Sequence, residues 1–524
     1  MYKEMLYLCF IGSRCIPLAF PFHMCYNLKK FIMITETDHM KKNRFTLLLA
    51  ALLLASSLAG CGGADSSSET TADTAPTETI AEETETKPLR SADLLPDADF
   101  GGADYVIIGR EYAKLGELPA MEFVVEELTG DIINDTIYKR NQTVEENFNV
   151  NVTAMTGSAA NLVKTSVTAG NGAYDLAWAH VNDMSSLSLN GYLANYYDVP
   201  HIDMTGAWWN QLAVESLTQN GKCFLQMNYI PFTGVMLSHV LYFNMDMVTE
   251  YGLTSPYDHV NENTWTFDTF ASMVETVSVD KNGDGTWDDG DTYGLLSSHG
   301  TSGVAFAVGM DVQPLAFAAD GSFTLSLLSD RNQSILESIV ALTHTPSSWL
   351  ITDYSKENDL ARMFAAGQGL FYSGFMTDAY QFFRDMEQDY GLIVFPKWEA
   401  SDESYITTVT GGTGLLGIPM VTADMERTGQ ITEALAIESY YDVYPAVFET
   451  VINNKLLRDE DSQKMFELLM NGLEISFART YKHAAYTDLF ADLTAKNATD
   501  LASSTASLEK AATEHYEKVL KSFE

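Results

Sequence analysis

Apolar and polar positions along the chain follow two different periods, and their order predicts strands that alternate with helices. Residues 105–109 and 174–179 are short apolar runs, as buried strands are. Between them, residues 131–148 carry apolar side chains at three-to-four spacing, which indicates an amphipathic helix. Residues 149–153 form another short strand pattern, and residues 162–169 form a helix that ends at a Gly-Asn-Gly turn. This alternation predicts an α/β fold that contains parallel strands.

The pattern changes after residue 414, where helical periods dominate. Residues 430–441 and 459–473 have apolar faces of helical period, and residues 498–524 predict one or two final helices. We interpret these helices as packing elements that carry no chemistry.

Residues 40–61, MKKNRFTLLLAALLLASSLAGC, have the layout of a secretory signal. A basic head precedes an apolar run at 45–58, whose helix of about 21 Å is shorter than the roughly 30 Å hydrocarbon core. The small residues that end at Cys61 resemble the bacterial lipobox, in which the thiol receives a lipid. We therefore predict a lipoprotein signal peptide at 40–60 and a lipid anchor on Cys61 at the extracellular face of the cell membrane. An ordinary signal peptide that happens to contain a cysteine is the alternative.

The segments on either side of this signal are not expected to belong to the fold. Residues 1–39 are apolar and show no clear period, and we interpret them as a gene-model extension upstream of Met40. Residues 61–99 are rich in Ser, Thr and Glu, with few large apolar side chains, and predict a disordered acidic tether.

Composition argues against nucleic acid as a partner and against internal disulfide bonds as a source of stability. The formal net charge is −40, and such an acidic surface repels phosphate backbones, so nucleic acid is not an expected partner. Of the 5 cysteines, only Cys61 and Cys223 follow the signal, so an internal disulfide is not expected. A large core must stabilise the chain, and its length of 524 residues favours two lobes over one.

Five short motifs follow one another along the chain: YDLAWAH at 174–180, LYFNMD at 241–246, GQGLFYSGF at 367–375, GLIVFP at 391–396 and TGGTG at 410–414. Their order resembles that in extracellular solute-binding proteins of ABC importers, of the maltose-binding type. In that family the first motif is similar to an early core strand, the second to the segment that crosses to the second lobe, and the third to a strand that presents an aromatic residue to ligand. The last two resemble the return to the first lobe. The resemblance implies a two-lobed periplasmic-binding-protein type II fold with hinge strands and a C-terminal helical region.

The resemblance also implies a function and a division of the chain. Lobe 1 would comprise residues 100–240 and 400–450, and lobe 2 residues 241–399 and 451–524. The two lobes would close on a small solute, a mono- or oligosaccharide, and deliver it to the membrane subunits of an ABC permease. Maltose binders carry a charged pair where this chain has Val181-Asn182, so the identity of the solute stays open.

Sugars bind through aromatic faces and hydrogen-bonding side chains and require no nucleophile. The candidate ligand-binding residues near predicted strand ends and turns are Trp178, His180, Asn182, Trp208, Trp209, Tyr229, Phe375 and Trp398. Burial in the core is the alternative for the tryptophans. Loop capping is the alternative for His180 and Asn182.

Residues 280–291, DKNGDGTWDDGD, match the spacing of an EF-hand calcium loop. The predicted ligands at loop positions 1, 3, 5, 7, 9 and 12 are Asp280, Asn282, Asp284, the Thr286 carbonyl, Asp288 and Asp291. Position 12 is Asp instead of Glu, and the following residues predict a strand instead of a helix. We therefore expect one structural Ca²⁺ of weak affinity, and a solvated acidic turn without metal is the alternative.

The sequence contains no local motif that indicates an enzyme. There is no Gly-x-Ser-x-Gly elbow, no His-Glu-x-x-His and no P-loop. A glycosidase needs two carboxylates across a cleft, and among 71 acidic residues no pair stands out. We therefore predict a binding protein without catalytic residues. A surface enzyme that acts on polysaccharide, and a binding protein for peptide or another non-sugar solute, remain the alternatives.

Overall fold

The computed structural model describes residues 5–9, 15–19, 88–110, 122–453 and 460–524. The predicted signal peptide, Cys61 and the predicted tether up to residue 87 therefore lie outside the described residues. The chain divides into two units, residues 1–85 and residues 86–524. In the first unit, β1 (Met5–Cys9) pairs antiparallel with β2 (Cys15–Ala19).

The first main sheet of the second unit has the strand order β15-β5-β3-β4. Its strands are β3 (Ala103–Gly109), β4 (Val150–Thr156), β5 (Leu176–His180) and β15 (Gly414–Gly417). β3 pairs parallel with β4 and β5, and β15 pairs antiparallel with β5. From β3 the chain continues to β4 on one side of β3 and then to β5 on its other side. The carboxyl ends of β3 and β5 therefore flank a topological switch point.

The second main sheet has the order β11-β8-β12-β6-β13, with β7 paired to β8. Its strands are β6 (His239–Asn244), β7 (Ser278–Val279), β8 (Thr292–Ser298), β11 (Ser348–Ile351), β12 (Gly369–Phe375) and β13 (Tyr390–Ile393). β8 pairs parallel with β11 and β12, whereas β6 pairs antiparallel with β12 and β13. The carboxyl ends of β8 and β12 therefore flank a second switch point. These two sheets confirm the α/β class and its parallel strands.

Within the described residues, the chain passes from the first sheet to the second before β6 and returns after β14 (Thr407–Thr408). β14 pairs parallel with β16 (Leu473–Glu474). The return to the first sheet comes later than residues 391–396, because β13 still pairs with β6 in the second sheet. The remaining strands, β9 (Leu315–Phe317) and β10 (Phe323–Leu325), form an antiparallel pair. Nothing in this arrangement fixes the lobe boundaries, which stay a prediction.

Helices pack around both sheets and dominate the chain after β15. They are α1 (Ser91–Leu94), α2 (Ile132–Phe148), α3 (Ala159–Ala169), α4 (Val181–Leu189), α5 (Gln211–Leu217), α6 (Phe232–Met236), α7 (Met245–Glu250), α8 (Pro256–Asn261), α9 (Phe267–Glu275), α10 (Phe306–Gly309), α11 (Asp330–Thr343), α12 (Glu357–Ala365), α13 (Thr377–Phe382), α14 (Met425–Glu438), α15 (Tyr444–Asn453), α16 (Glu460–Asn471), α17 (Phe477–Thr480), α18 (Ala484–Thr487), α19 (Leu489–Ala495) and α20 (Leu501–Leu520). Two π-helical turns, Thr301–Ala305 and Ser439–Val443, lie directly before α10 and α15. None of the helices among the described residues combines the length and the apolar character that a membrane span requires.

Local sequence explains where α2 begins and ends. The Asp131 side chain accepts a hydrogen bond from the Asn134 amide at 2.9 Å, which caps the amino end. Asn149 ends the helix in the left-handed conformation at φ 47°. The apolar positions that predicted this helix, including Ile137 and Val144, are fully buried. Amphipathic period and caps therefore suffice to place this element.

Residues 88–99, which composition places in the tether, contact the folded body. Arg90 donates to Glu438 at 2.8 Å and to both carboxylate oxygens of Asp442 at 2.8 and 2.9 Å. The Ser91 amide and hydroxyl donate to the other Glu438 oxygen at 2.9 and 2.6 Å. This contact depends on partners about 350 positions away in sequence, so composition does not reveal it.

Candidate functional site

A small pocket, which we call the seam pocket, lies between the switch points of the two sheets. It is lined by Val181 after β5, Val304 after β8, residues 408–411 and Thr413 of the second crossing, and Ile475, Ser476, Arg479, Thr480, Lys482 and Asp488 of the C-terminal region. Its volume is about 50 Å³. Open α/β sheets bind ligands at the carboxyl ends of strands beside a switch point, which is where this pocket lies.

Polar atoms in the seam pocket lack partners. Thr480 is 1% exposed, and its Oγ1 has no hydrogen-bond partner in the part of the chain that the structure describes. The same holds for Nε of Arg479, whose pKa is lowered by burial. Lys482 pairs with Asp488 at 3.1 Å. Because an unsatisfied buried polar group costs about 1–3 kcal/mol, these atoms fit a pocket whose ligand supplies the missing hydrogen bonds.

The predicted ligand residue Trp178 lies in β5 and is fully buried. The guanidinium of Arg110 lies 5.0 Å from the indole centre, and Phe123 packs edge-on at 6.0 Å. The Trp178 Nε1 has no partner among the described residues. Trp178 is therefore packed within the first sheet beneath its switch point, and its role in ligand binding stays a prediction.

His180 and Asn182 lie at the carboxyl end of β5, where α4 begins. The Asn182 amide donates to Nδ1 of His180 at 3.1 Å, so the imidazole caps α4. Burial lowers the pKa of His180, and the charges of Arg110 and Lys482 lower it further. The lowered pKa favours the neutral imidazole, whose Nδ1 accepts the hydrogen bond from the Asn182 amide.

Phe375 and Trp398 lie in or beside the second sheet. Phe375 ends β12, and its ring centre lies 5.0 Å from that of His239 at the start of β6. His239 is buried, and burial lowers its pKa to about 3. Trp398 packs 6.3 Å from Phe267 and lines neither the seam pocket nor the larger cavity formed by Trp208 and its neighbours.

That larger cavity, which we call the aromatic cavity, contains the other three predicted residues. Its volume is about 280 Å³. It is lined by Ala207, Trp208, Trp209, Asn210, Gln211, Leu212, Met227, Asn228, Tyr229, Val235, Tyr440, Tyr444, Met470, Asn471 and Leu473. Three of the eight predicted ligand residues therefore line the aromatic cavity, and none of the eight lines the seam pocket.

The acidic loop 280–291 forms the sharp turn that the sequence predicts. The Gly283 and Gly285 amides donate to Asp280 at 2.6 and 2.8 Å, and Gly285 has φ 77°. The amides of Lys281 and Asp288 each donate to Asp291 at 2.9 Å. Within the described residues, no three His, Cys, Asp or Glu side chains lie close enough to hold a metal ion. The predicted calcium ligands stay a prediction.

Sequence reasoning missed the C-terminal residues of the seam pocket. Arg479, Thr480 and Lys482 lie in and beside α17, in a region interpreted as packing alone. The available signal was two basic residues within four positions of a chain with 31 basic and 71 acidic residues. Local sequence patterns could not associate Thr480 with Val181 of the same pocket, because Val181 lies about 300 residues earlier in the chain.

Solved structures resemble this fold at low identity. UspC of M. tuberculosis is 14% identical, with a TM-score of 0.51 over 79% of this chain and 100% of that chain. The maltose-binding periplasmic protein MalE of Listeria monocytogenes, solved with maltose, is 13% identical, with a TM-score of 0.50 over 80% and 98%. The GacH receptor of Streptomyces glaucescens, solved with acarbose, is 13% identical, with a TM-score of 0.50 over 80% and 99%. These likenesses confirm the two-lobed periplasmic-binding-protein type II fold.

The family comparison covers more than half of the chain. No curated protein sequence matches the chain. The family model of bacterial extracellular solute-binding proteins matches residues 139–438, which include both main sheets except β3. The chain therefore belongs to the bacterial extracellular solute-binding proteins.

Proposed function

We propose that this protein is the lipid-anchored substrate-binding component of an ABC transporter, and that it captures a mono- or oligosaccharide between its two lobes, at the seam pocket, for delivery to the permease. The pocket volume of about 50 Å³ is smaller than the roughly 300–1,000 Å³ of small-molecule sites, so the proposal requires the lobes to separate and enlarge the pocket before a sugar enters. One observation carries the proposal. The seam pocket is built from both sheets and their crossing, and its Thr480 hydroxyl and Arg479 Nε lack protein partners in the described part of the chain. A solute that bonds to these atoms favours the arrangement of the sheets in which the pocket is formed.

Similar proteins support the carbohydrate class. Two of the structurally similar proteins have been solved in complex with a carbohydrate ligand, maltose for MalE and acarbose for the GacH receptor. A pocket for capture alone needs positioned donors and acceptors, and we propose that the seam pocket makes and breaks no bond. The alternative of a surface enzyme acting on polysaccharide predicts product release, which capture does not.

A fluorescence titration of the full chain against a panel of neutral sugars tests this function. We expect saturable quenching of tryptophan by at least one sugar, with no product in the same sample by mass spectrometry. Product release from a glycan would favour the enzyme instead. Binding of peptides with no binding of any sugar would favour a non-sugar solute.

A second candidate, an acidic solute, is favoured by the charges of the seam pocket. Arg479 and Lys482 line it, and Asp488 is its one carboxylate among the described residues. The panel should therefore include glucuronate and galacturonate beside the parent sugars. Tighter binding of the uronates would place the carboxylate at the Arg479 guanidinium, which holds such groups through paired hydrogen bonds.

We further propose that Cys61 carries the lipid that holds the protein at the extracellular face of the membrane. Replacing Cys61→Ser should move the protein from the detergent phase to the aqueous phase in a detergent partition assay. The matched control is Cys223→Ser, because Cys223 is a buried free thiol. Equal partition of both variants into detergent would contradict the anchor.

A further inference from the structure

The aromatic cavity has the composition of a ligand site and lies apart from the seam pocket. We propose that it is a second binding site, which takes one ring of a neutral carbohydrate. The two pockets share no lining residue. The proposal goes beyond solute capture in the seam pocket and does not depend on it.

Segments that join the sheets separate the two pockets. Leu473 lines the aromatic cavity, whereas Ile475 lines the seam pocket, and β16 lies at this position of the chain. Val235 lines the aromatic cavity, whereas Thr410 of the seam pocket donates its amide to Leu237 at 3.0 Å. A small ligand in one pocket therefore cannot fill the other.

Aromatic side chains form much of the cavity wall. Trp208, Tyr229, Tyr440 and Tyr444 are half-buried, so part of each ring is open to contact. The rings of Tyr229 and Tyr444 lie 4.6 Å apart, and those of Tyr440 and Tyr444 lie nearly parallel at 6.2 Å. Pyranose rings present C–H faces that pack on such surfaces.

The polar groups of the cavity are neutral, in a chain of net charge −40. The lining residues carry no charged side chain and include four carboxamides: Asn210, Gln211, Asn228 and Asn471. Asn228 is 3% exposed, and its Oδ1 accepts the Ile230 amide at 2.9 Å. Its Nδ2 has no partner among the described residues, so a buried donor lacks an acceptor. A sugar hydroxyl supplies one without introducing a charge.

Size limits the occupant. The volume of about 280 Å³ lies at the lower end of the roughly 300–1,000 Å³ of small-molecule sites. The cavity therefore suits one sugar ring, with any further units extending into solvent. Asn471 is exposed at the wall and offers a position from which a larger side chain closes the entrance.

Calorimetric titration of the full chain with glucose, galactose, mannose and xylose tests the second site. Asn471→Trp should fill the cavity, and Asn228→Ala should remove the buried donor. We expect Asn471→Trp to weaken the binding of at least one monosaccharide by about tenfold or more. Asn228→Ala should weaken the binding of the same monosaccharide by about two- to tenfold, because it removes one hydrogen bond. The matched control is Gln463→Trp, an exposed position on the same helix outside the cavity lining, which should bind like the parent protein.

Arg479→Ala separates this proposal from capture in the seam pocket. The cavity proposal expects monosaccharide binding to persist in Arg479→Ala and to disappear when Asn471→Trp is added. It is overturned if no monosaccharide binds Arg479→Ala at millimolar concentration, or if the binding that persists is unchanged by Asn471→Trp and Asn228→Ala. If Arg479→Ala weakens binding of the larger sugars but keeps monosaccharide binding that is sensitive to Asn471→Trp, the seam pocket is affected and the cavity proposal is supported.

Discussion

The indole N–H of Trp208 donates to the carboxyl group of Glu433 across 2.7 Å. Trp209 donates to the other oxygen of the same group at 3.0 Å. Glu433 is 1% exposed in α14, and burial raises its pKa to about 7. One buried carboxyl group thus orients both indoles at the aromatic cavity.

We expect the free energy of unfolding to fall as the pH rises from about 5 to about 8. Burial raises the pKa of Glu433 and Asp378 to about 7 and that of Glu122 to about 8. In the unfolded chain such groups ionise at about pH 4. The folded state therefore holds more protons in this window, so the contribution to stability is complete below about pH 4 and is lost as the pH rises through the folded pKa values. Thermal unfolding across this range measures the effect.

Glu433→Gln provides the control for that slope. Glutamine does not titrate, so the unfolding temperature of the variant protein should depend less steeply on pH. The side-chain oxygen of the glutamine can still accept one indole N–H. An unchanged slope in Glu433→Gln would show that Glu433 does not contribute.

We expect Thr480→Val to weaken solute binding without destabilising the fold. The substitution removes a buried hydroxyl that has no partner in the described residues and keeps the shape of the side chain. Loss of one hydrogen bond to solute, about 0.5–1.5 kcal/mol, corresponds to about a two- to tenfold weaker affinity. Titration with the best sugar of the panel measures it, and thermal unfolding should show an equal or higher melting temperature.

The matched control is Thr494→Val. Thr494 is also buried with an unpartnered hydroxyl, but it lies in α19 outside the seam pocket lining. This variant should leave affinity unchanged. Equal affinities of both variants and the parent protein would contradict a role for Thr480 in binding.

Calcium should stabilise the folded chain through residues 280–291. A site of about 10⁻⁴ to 10⁻³ M affinity gains about 1–3 kcal/mol at about ten millimolar Ca²⁺. Asp284→Ala should abolish the rise in melting temperature because it removes a ligand at position 5. Asp289→Ala removes an equal charge at a non-ligand position of the same loop and should retain the rise. If Ca²⁺ does not raise the melting temperature of the parent chain, residues 280–291 are an acidic turn that binds no metal.

Arg90→Ala should release residues 88–99 and destabilise the body by about 1–3 kcal/mol, because Glu438 is 1% exposed and loses its ionic partner. Urea unfolding measures the loss, and proteolysis near residue 90 should accelerate. Arg362→Ala serves as the control, since the Arg362–Asp359 pair is 61% exposed on both sides and contributes about 0–1 kcal/mol. Equal losses in both variants would contradict a structural role for Arg90.

Local sequence patterns were enough to predict several elements of the fold. The apolar run that becomes β3 and the caps of α2 act through neighbours a few positions away, so period and residue type were enough. The order of short motifs gave the family, since motif order survives where identity is low. The turn at Gly285 was likewise predicted from the residues of the loop itself.

Tertiary structure decided which of these residues share a site. Trp178 and Trp208 carry the same sequence signal, yet one is buried beneath a switch point and the other lines the aromatic cavity. Glu433 follows a helical pattern like any solvated carboxylate, and only the fold brings it to two indoles more than 220 positions away. Thr480 meets Val181 in the seam pocket because the chain crosses between the sheets. Such contacts follow from strand order and packing, which no local pattern encodes.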